Sequence, residues 1–172
     1  MSQPFKIVNT EMKDLPLVVQ WFNDSVAYQE RKGYPTWGNF DQEAIASDIR
    51  NRIQHKAVNE QGIGIVFSAI YSDKVIWREM DKGQSIYLHR IVVNPAFKGQ
   101  KLLGVVLDWA KEQVKQKNLK NIRLDTWVNN PVIIDYYKSF GFIEIEDYTT
   151  PDTEDLPRHN RNLALKLLEL TP

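Results

Sequence analysis

The sequence predicts a mixed α/β fold: one central sheet of about seven strands with helices on both of its faces. Segments with the two-residue period of strands alternate along the chain with segments that repeat apolar residues at helical spacing. Two strand-like segments, 57–60 and 63–71, flank Gly62 and indicate an antiparallel hairpin. A strand–helix–strand succession over 86–128 indicates a parallel crossover, so the sheet is expected to be mixed.

In the first half of the chain we expect a strand, two helices and a hairpin. Their ranges are about 5–10, 15–31, 41–56, 57–60 and 63–71. Asp14 is a suitable N-cap for the first helix, and Pro16 is tolerated in its first turn. Gly33 ends this helix and begins an aromatic loop over 33–40. Apolar residues at helical spacing define the inner face of the second helix, namely Ala44, Ile45, Ile49 and Ile53.

In the second half, strands alternate with two further helices. Their ranges are about 86–93, 102–117, 121–128, 131–139, 142–148 and 162–170. The first of these strands stops before Pro95, because proline cannot donate to a strand ladder. Asn130, which a proline follows, has the pattern of a capped helix start. The polar segment 73–84, which contains Trp77, is predicted to be a surface connection.

Composition limits the class of protein. A length of 172 residues fits a single domain over 1–172. The chain contains no cysteine, which excludes disulfide scaffolds, cysteine-based zinc sites and cysteine nucleophiles, and its three histidines are too scattered to suggest a metal site. Equal numbers of basic and acidic residues, 22 of each, argue against a nucleic-acid partner. Without a long apolar segment or a secretion signal, we expect a cytoplasmic protein that does not enter a membrane.

Four features follow one another in the segment 86–142. A strand ends in Val93-Asn94-Pro95, and a loop then enters a helix. Asn130 lies seven residues before Tyr137, and Gly-Phe follows that tyrosine at +4 and +5. In this order they resemble the GNAT superfamily of acyl-CoA-dependent N-acetyltransferases, and the predicted element order fits that superfamily over essentially the whole chain. The resemblance implies a GNAT-like, mostly antiparallel twisted sheet and an enzyme that uses acetyl-CoA or another acyl-CoA.

The loop that binds the cofactor pyrophosphate in this superfamily, written R/Q-x-x-G-x-G/A, departs from the pattern here. Lys98 takes the Arg/Gln position, but Lys101 and Leu103 stand at the two glycine positions. Glycine lets a backbone approach a phosphate closely, so two interpretations remain. Either Leu103 points toward the sheet and leaves the N–H groups available for phosphate, or the two side chains block the site. The resemblance implies that the cofactor contacts Ile91, Val92, Val93, Lys98, Gly99, Gln100, Lys101, Leu102, Leu103, Gly104, Asn130 and Tyr137.

Without a cysteine nucleophile, direct attack by the amine in a ternary complex is the natural mechanism. By the resemblance Tyr137 lies beside the cofactor sulfur, and a tyrosine with a pKa of about 10 is a candidate acid for the leaving thiolate. The alternative is a tyrosine of the core. The segment 86–93 holds no carboxylate, so His89 is the candidate general base. Histidine has an ordinary pKa of about 6.5, which suits proton transfer near neutral pH. Its alternatives are a structural histidine in the sheet and a proton relay through water.

The acceptor is expected to be the primary amine of a small molecule, bound where the superfamily builds its acceptor site beside the loop between the first two helices. The candidate substrate-binding residues are Tyr34, Trp37, Trp77, Asp125 and Trp127. Aromatic rings there suit an apolar or a cationic acceptor, whereas Asp125 either anchors an amine or pairs with Arg123 or Lys120. The alternative function is a catalytically inactive GNAT-fold protein that binds acyl-CoA or a protein partner. A homodimer is a further expectation, formed through an edge strand such as 162–170.

Overall fold

The computed structural model describes residues 4–36, 41–154, 156 and 160–172, and within them seven strands form one sheet. The strands are β1 (Lys6–Asn9), β2 (Gln54–Asn59), β3 (Gly62–Ile70), β4 (Ser85–Val93), β5 (Asn121–Trp127), β6 (Ile143–Thr149) and β7 (Ala164–Leu170). The α-helices are α1 (Leu15–Lys32), α2 (Gln42–Arg50), the single turn α3 (Lys74–Trp77), α4 (Leu103–Gln116) and α5 (Pro131–Lys138). Apart from α3, they follow the order that the sequence predicts.

The strands lie across the sheet in the order β1-β2-β3-β4-β5-β7-β6. Every neighbouring pair is antiparallel except β4 and β5, which are parallel and are joined through α4. The predicted fold class, a mixed and mostly antiparallel sheet with helices on both faces, is therefore confirmed. A parallel pair needs a long crossover, and α4 supplies it.

Helices cover both faces of the sheet. The core on the α4 face includes Phe67, Leu88, Leu103, Val106 and Ala110. On the opposite face, the core beneath α1 and α2 includes Val18, Phe22, Ile45, Val66 and Val92. A third cluster, beside α3, includes Trp77, Tyr87, Leu165 and Leu167. Burial of these apolar side chains is the main force that holds the layers together. None of the helices in the described ranges is long and apolar enough to cross a membrane.

The boundary between the second helix and the hairpin differs from the prediction. The helix α2 ends at Arg50 rather than near residue 56, and β2 already begins at Gln54. The cause is a reversal of the chain at Arg52, whose φ of 59° is left-handed and cannot continue a helix. Ile53, whose spacing predicts a place on the inner face of the helix, therefore lies in the connection between α2 and β2.

Two further expectations are wrong. The segment 73–84 is not only a surface connection, because it contains α3 and Trp77 is 0% exposed beneath Tyr87. The last strand is not an edge strand, because β7 lies between β5 and β6 and pairs with both. The edges of the sheet are β1 and β6, so a strand-mediated homodimer would have to form through one of those.

Candidate active site

The strands β4 and β5 separate at the centre of the sheet. They pair only from Ser85 to Tyr87 on β4 and from Asn121 to Arg123 on β5. Beyond that point β5 stays with β7, whereas β4 stays with β3 and bends through Arg90, whose φ is 50°. The register between β3 and β4 shifts there, as in a β-bulge. The resulting gap, here called the β4–β5 opening, leaves backbone groups of the segment 91–93 without a strand on the β5 side.

The loop after β4 presents free amides at the start of α4. Asn94 caps the 3-10 turn Pro95–Phe97 by accepting a hydrogen bond of 3.0 Å from the N–H of Ala96. The chain then turns through Gly99 and Lys101, with φ of 86° and 52°, into α4. Among the described residues, the N–H groups of 101–103 donate to no backbone carbonyl. Free amides at a helix N-terminus form an anion-binding site.

The leucines of this loop point away from that site. Leu102 and Leu103 are 3% and 2% exposed, and both belong to the core between α4 and the sheet. The packing is close, because a Cβ added to Gly64 of β3 would lie 2.6 Å from Cδ1 of Leu102. Of the two interpretations of the departed glycine pattern, the inward Leu103 is therefore the one observed. Lys101 is exposed and adopts the left-handed backbone that glycine would favour.

His89 lies between two carboxylates, and we call this group the Asp73–His89–Asp125 cluster. Its Nε2 is 3.2 Å from Oδ2 of Asp73, and its Nδ1 is 3.4 Å from Oδ1 of Asp125. The three side chains come from the loop before α3, from β4 and from β5. Nε2 of His89 and both facing carboxylate oxygens are closed off from solvent, and these close approaches are ion-pair contacts whose angles fall short of hydrogen bonds. The cluster borders the β4–β5 opening, because His89 and Asp125 stand on the parts of the two strands that no longer pair.

The charges in the cluster shift its proton equilibria. Burial alone would lower the pKa of His89, but the contact with Asp73 and the charges of Asp125 and Asp73 outweigh it and raise that pKa. Burial raises the pKa of Asp125, and the neighbouring imidazolium offsets part of this rise. The proton on His89 is therefore held more tightly than in water.

Within the described ranges, this cluster is the group of side chains that could hold a metal ion. One ligand atom from each of its residues lies within 4.8 Å of the others. However, the two carboxylates face opposite nitrogens of the same ring. A single ion bonds to only one of these nitrogens, so the carboxylate on the far side would have to turn before all three could coordinate it. The arrangement suits proton sharing better than coordination.

Tyr137 of α5 belongs to the core on the α4 face of the sheet, where the charge of Asp125 still acts on it. It is 9% exposed and packs edge-on against Phe142, with ring centroids 6.0 Å apart. Burial, the charge of Asp125 and the neighbouring Tyr136 raise the pKa of Tyr137 well above its ordinary value. Its hydroxyl therefore stays protonated at neutral pH and is available as a hydrogen-bond donor.

Asn130 caps α5, as its position before proline indicates. Its side-chain oxygen accepts a hydrogen bond of 3.3 Å from the N–H of Ile133. The side chain is also buried at the end of β5, so its structural role as a cap accounts for its place in the fold.

Of the expected acceptor residues that the structure describes, Trp77 is fully buried. Tyr34 follows the end of α1, Trp127 is the last residue of β5, and both are half-buried. Trp37 lies outside the described residues. Trp77 is buried and lies under the guanidinium of Arg123, 4.4 Å from the ring centroid, so it supports the site from below instead of lining it.

Asp125 makes neither of the pairings that the sequence left open. Arg123 instead bonds Glu169, with 2.7 Å between Nε and Oε2, and Asp125 faces His89. The side chain that sequence reasoning missed altogether is Asp73. Its only sequence signal is that of a helix N-cap before Lys74, and nothing local indicates that it reaches β4.

Residues 20–142 match the sequence model of the Acetyltransferase (GNAT) family. The chain belongs to this family. A 70-residue segment of this GNAT protein is 33% identical to the uncharacterized N-acetyltransferase YesJ of Bacillus subtilis (strain 168) and spans 41% of the chain and 39% of that relative.

Two solved structures share the fold of this GNAT protein over almost its whole length. A GNAT acetyltransferase from Listeria monocytogenes 4b F2365 is 19% identical, with a TM-score of 0.73 over 98% of this chain and 95% of the other. Spermidine N-acetyltransferase from Vibrio cholerae, in complex with CoA and spermine, is 17% identical, with a TM-score of 0.64 over 98% and 95%. At these identities the likeness is one of fold.

Proposed function

We propose that this protein is an N-acetyltransferase that transfers an acetyl group from acetyl-CoA to the primary amine of a small molecule, by direct attack in a ternary complex. The observation that carries the proposal is the β4–β5 opening, which has His89 on one face of the sheet and Tyr137 on the other. In acetyl transfer an amine enters and a thiolate leaves. A base and an acid on opposite sides of a gap suit this reaction, because each can act on one of the two groups. Membership of the GNAT family supports the same activity.

The residues present fit an acyl-CoA. The free amides of 101–103 and the N-terminus of α4 suit a pyrophosphate, and the exposed Lys98 and Lys101 add positive charge there. The backbone of Ile91, Val92 and Val93 is the proposed partner of the pantetheine arm. Gly99, Gln100 and Gly104 complete the loop, and Asn130 is proposed as a further cofactor contact beside its capping role. The bound thioester supplies an electrophilic carbonyl carbon.

Three groups of the chain carry out the proposed reaction. His89 accepts the proton that the amine nitrogen releases as the new C–N bond forms. A backbone N–H of the segment 91–93 donates to the carbonyl oxygen, which gains negative charge as the amine attacks. The hydroxyl of Tyr137 donates to the sulfur as the C–S bond breaks. Because its pKa is raised, Tyr137 acts first through hydrogen bonding, since complete proton transfer from it to a thiolate would be uphill.

The acceptor enters from the face covered by α1, α2 and α3, where His89 is placed. We propose that Tyr34, Trp37 and Trp127 contact it, and that Asp125 acts on it through His89, because Oδ1 of Asp125 is closed off from solvent. The reaction needs a nucleophilic nitrogen, and a primary amine supplies one. The fold shared with an enzyme named for spermidine supports an amine but does not single out one.

The first experiment is titration calorimetry of the purified protein with acetyl-CoA, with dephospho-CoA and desulfo-CoA as controls. We expect saturable micromolar binding. A screen of primary amines that follows release of free thiol then identifies the acceptor, and His89→Gln is the matched variant that should bind acetyl-CoA normally but turn over slowly. Binding without turnover of any amine would favour an inactive acyl-CoA-binding protein, and no binding up to millimolar concentration would refute the proposal.

A further inference from the structure

Asp73 is the one member of the Asp73–His89–Asp125 cluster that neither the sequence motifs nor the proposed mechanism uses. We propose that it is a positioning residue, which holds the proton of neutral His89 on Nε2 and so leaves Nδ1 as the nitrogen that accepts the proton of the amine. This inference rests on the proposed function, in which His89 is the base.

The main chain and α3 hold the carboxylate of Asp73 in one orientation. Its Oδ1 accepts a hydrogen bond of 3.3 Å from the N–H of Ile76, as the N-cap of α3. Its own N–H donates to Oδ2 of Asp81 at 2.8 Å. The residue is 8% exposed. With Oδ1 occupied by the helix, Oδ2 is the oxygen that remains for His89, and it lies 3.2 Å from Nε2.

Asp81 holds Asp73 in place, because its hydrogen bonds connect the segments before and after α3. Its two oxygens accept from the hydroxyls of Ser72 and Tyr87 and from the N–H groups of Asp73 and Gly83, at 2.7 to 3.1 Å. Burial alone would raise its pKa, but these bonds outweigh burial and lower the pKa to about 2. Asp81 therefore stays ionised at every pH at which an amine is acetylated, and Asp73 keeps its place.

The two carboxylates of the cluster compete for the single N–H of a neutral imidazole. An ionised carboxylate only accepts hydrogen bonds, so the carboxylate that is fixed closer to the ring selects the nitrogen that carries the proton. Burial raises the pKa of Asp125, which weakens it as an acceptor at Nδ1. Asp73 also lies closer to the ring, at 3.2 Å against 3.4 Å. Both facts favour a proton on Nε2.

The other charged group that acts on His89 is Arg90 of the same strand. Its charge lowers the pKa of His89, and its guanidinium is paired with Asp48 of α2. The contacts of His89 thus come from the loop before α3, from β5 and from its own strand. Of the two carboxylates that face the ring, Asp73 is the closer and contributes most to the raised pKa of His89, so its removal should lower that pKa.

The test is Asp73→Asn, studied in the full-length protein by NMR and by kinetics. Asparagine caps a helix as well as aspartate does, so α3 should persist while the negative charge is lost. We expect a lower pKa for His89, followed in its ring signals and assigned with His89→Gln. Turnover needs the neutral ring, so the rising limb of the pH–rate profile should move to lower pH, and kcat should fall by about 10-fold to 100-fold with KM unchanged.

A direct readout does not depend on any variant. The ¹⁵N chemical shifts of the wild-type ring above its pKa distinguish a proton on Nε2 from one on Nδ1, and we expect Nε2. Asp108→Asn, an exposed change on α4, is the charge-matched control and should alter none of these quantities.

A proton on Nδ1, or an unchanged pKa of His89 in Asp73→Asn, would overturn the inference. If no amine is turned over at all, the proposed function fails, whereas the ring measurements still decide whether Asp73 orients His89.

Discussion

Leu103→Gly restores a glycine of the family's pyrophosphate loop, and we expect it to damage this protein without improving cofactor binding. In the wild-type chain the side chain of Leu103 is 2% exposed and fills the core between α4 and the sheet. The amides at the start of α4 are already free. The substitution therefore removes a buried side chain and uncovers no new phosphate contact.

The size of the effect follows from this burial. Truncation of a buried leucine to alanine costs about 2–5 kcal/mol, because both transfer energy and packing are lost. Leu103 is the first residue of α4, so the interior-helix penalty of glycine is not added. A loss of about 2–5 kcal/mol is a large part of the stability of a domain. For a chain of this length each 1 kcal/mol lowers Tm by about 2–4 °C, so Tm should fall by roughly 4 °C or more.

Lys101→Gly is the matched change at the other glycine position, and its expected result is the opposite. Lys101 is exposed and has a φ of 52°, so glycine should relieve a strain of about 1 kcal/mol and raise Tm slightly. Urea and thermal unfolding, followed by circular dichroism with and without acetyl-CoA, measure both variants. A Leu103→Gly protein with wild-type stability, or one that binds acetyl-CoA more tightly, would refute the inward placement of this side chain.

Three other predictions concern the site and its supports. Tyr137→Phe should lower kcat by about 10-fold or more with acetyl-CoA affinity unchanged. Assays of thiol release measure this effect, and a turnover equal to that of the wild type would remove Tyr137 from the mechanism. Asn130→Ala should cost about 1 kcal/mol, because α5 loses its cap, and denaturant unfolding measures the loss. Asp81 has a pKa of about 2 against an ordinary 3.8, so it contributes about 2 kcal/mol above pH 4 that disappears as the pH falls toward 2. Asp81→Asn should abolish this part of the acid dependence and lower stability at neutral pH, and a variant as stable as wild type would contradict the assignment.

Local patterns predicted most elements of the fold correctly. The helix α5 begins where Asn130 and the following proline indicate, and β4 ends before Pro95 as expected. One exception is the end of α2. The apolar spacing of Ile53 predicted that the helix continues, but the left-handed backbone of Arg52 ends it, and Ile53 lies between α2 and β2. Helix caps and prolines act over a few residues, so a sequence can predict their effects. A reversal of the chain depends on the elements that the chain packs against, which the sequence does not show locally.

The residues of the candidate site likewise fall into those that local patterns predict and those that only the tertiary structure brings together. The sequence by itself determined Tyr137 and the pyrophosphate loop as candidates through the family resemblance, and His89 through its place on a strand without a carboxylate, because motif spacing and strand alternation are local properties. Only the tertiary structure decided that Leu103 points inward and that Asp73 and Asp125 face the two nitrogens of one imidazole. These carboxylates come from a loop and a strand that are distant in sequence. They meet because β4 and β5 pair for only three residues and then separate, and long-range packing of this kind leaves no local pattern in a single sequence.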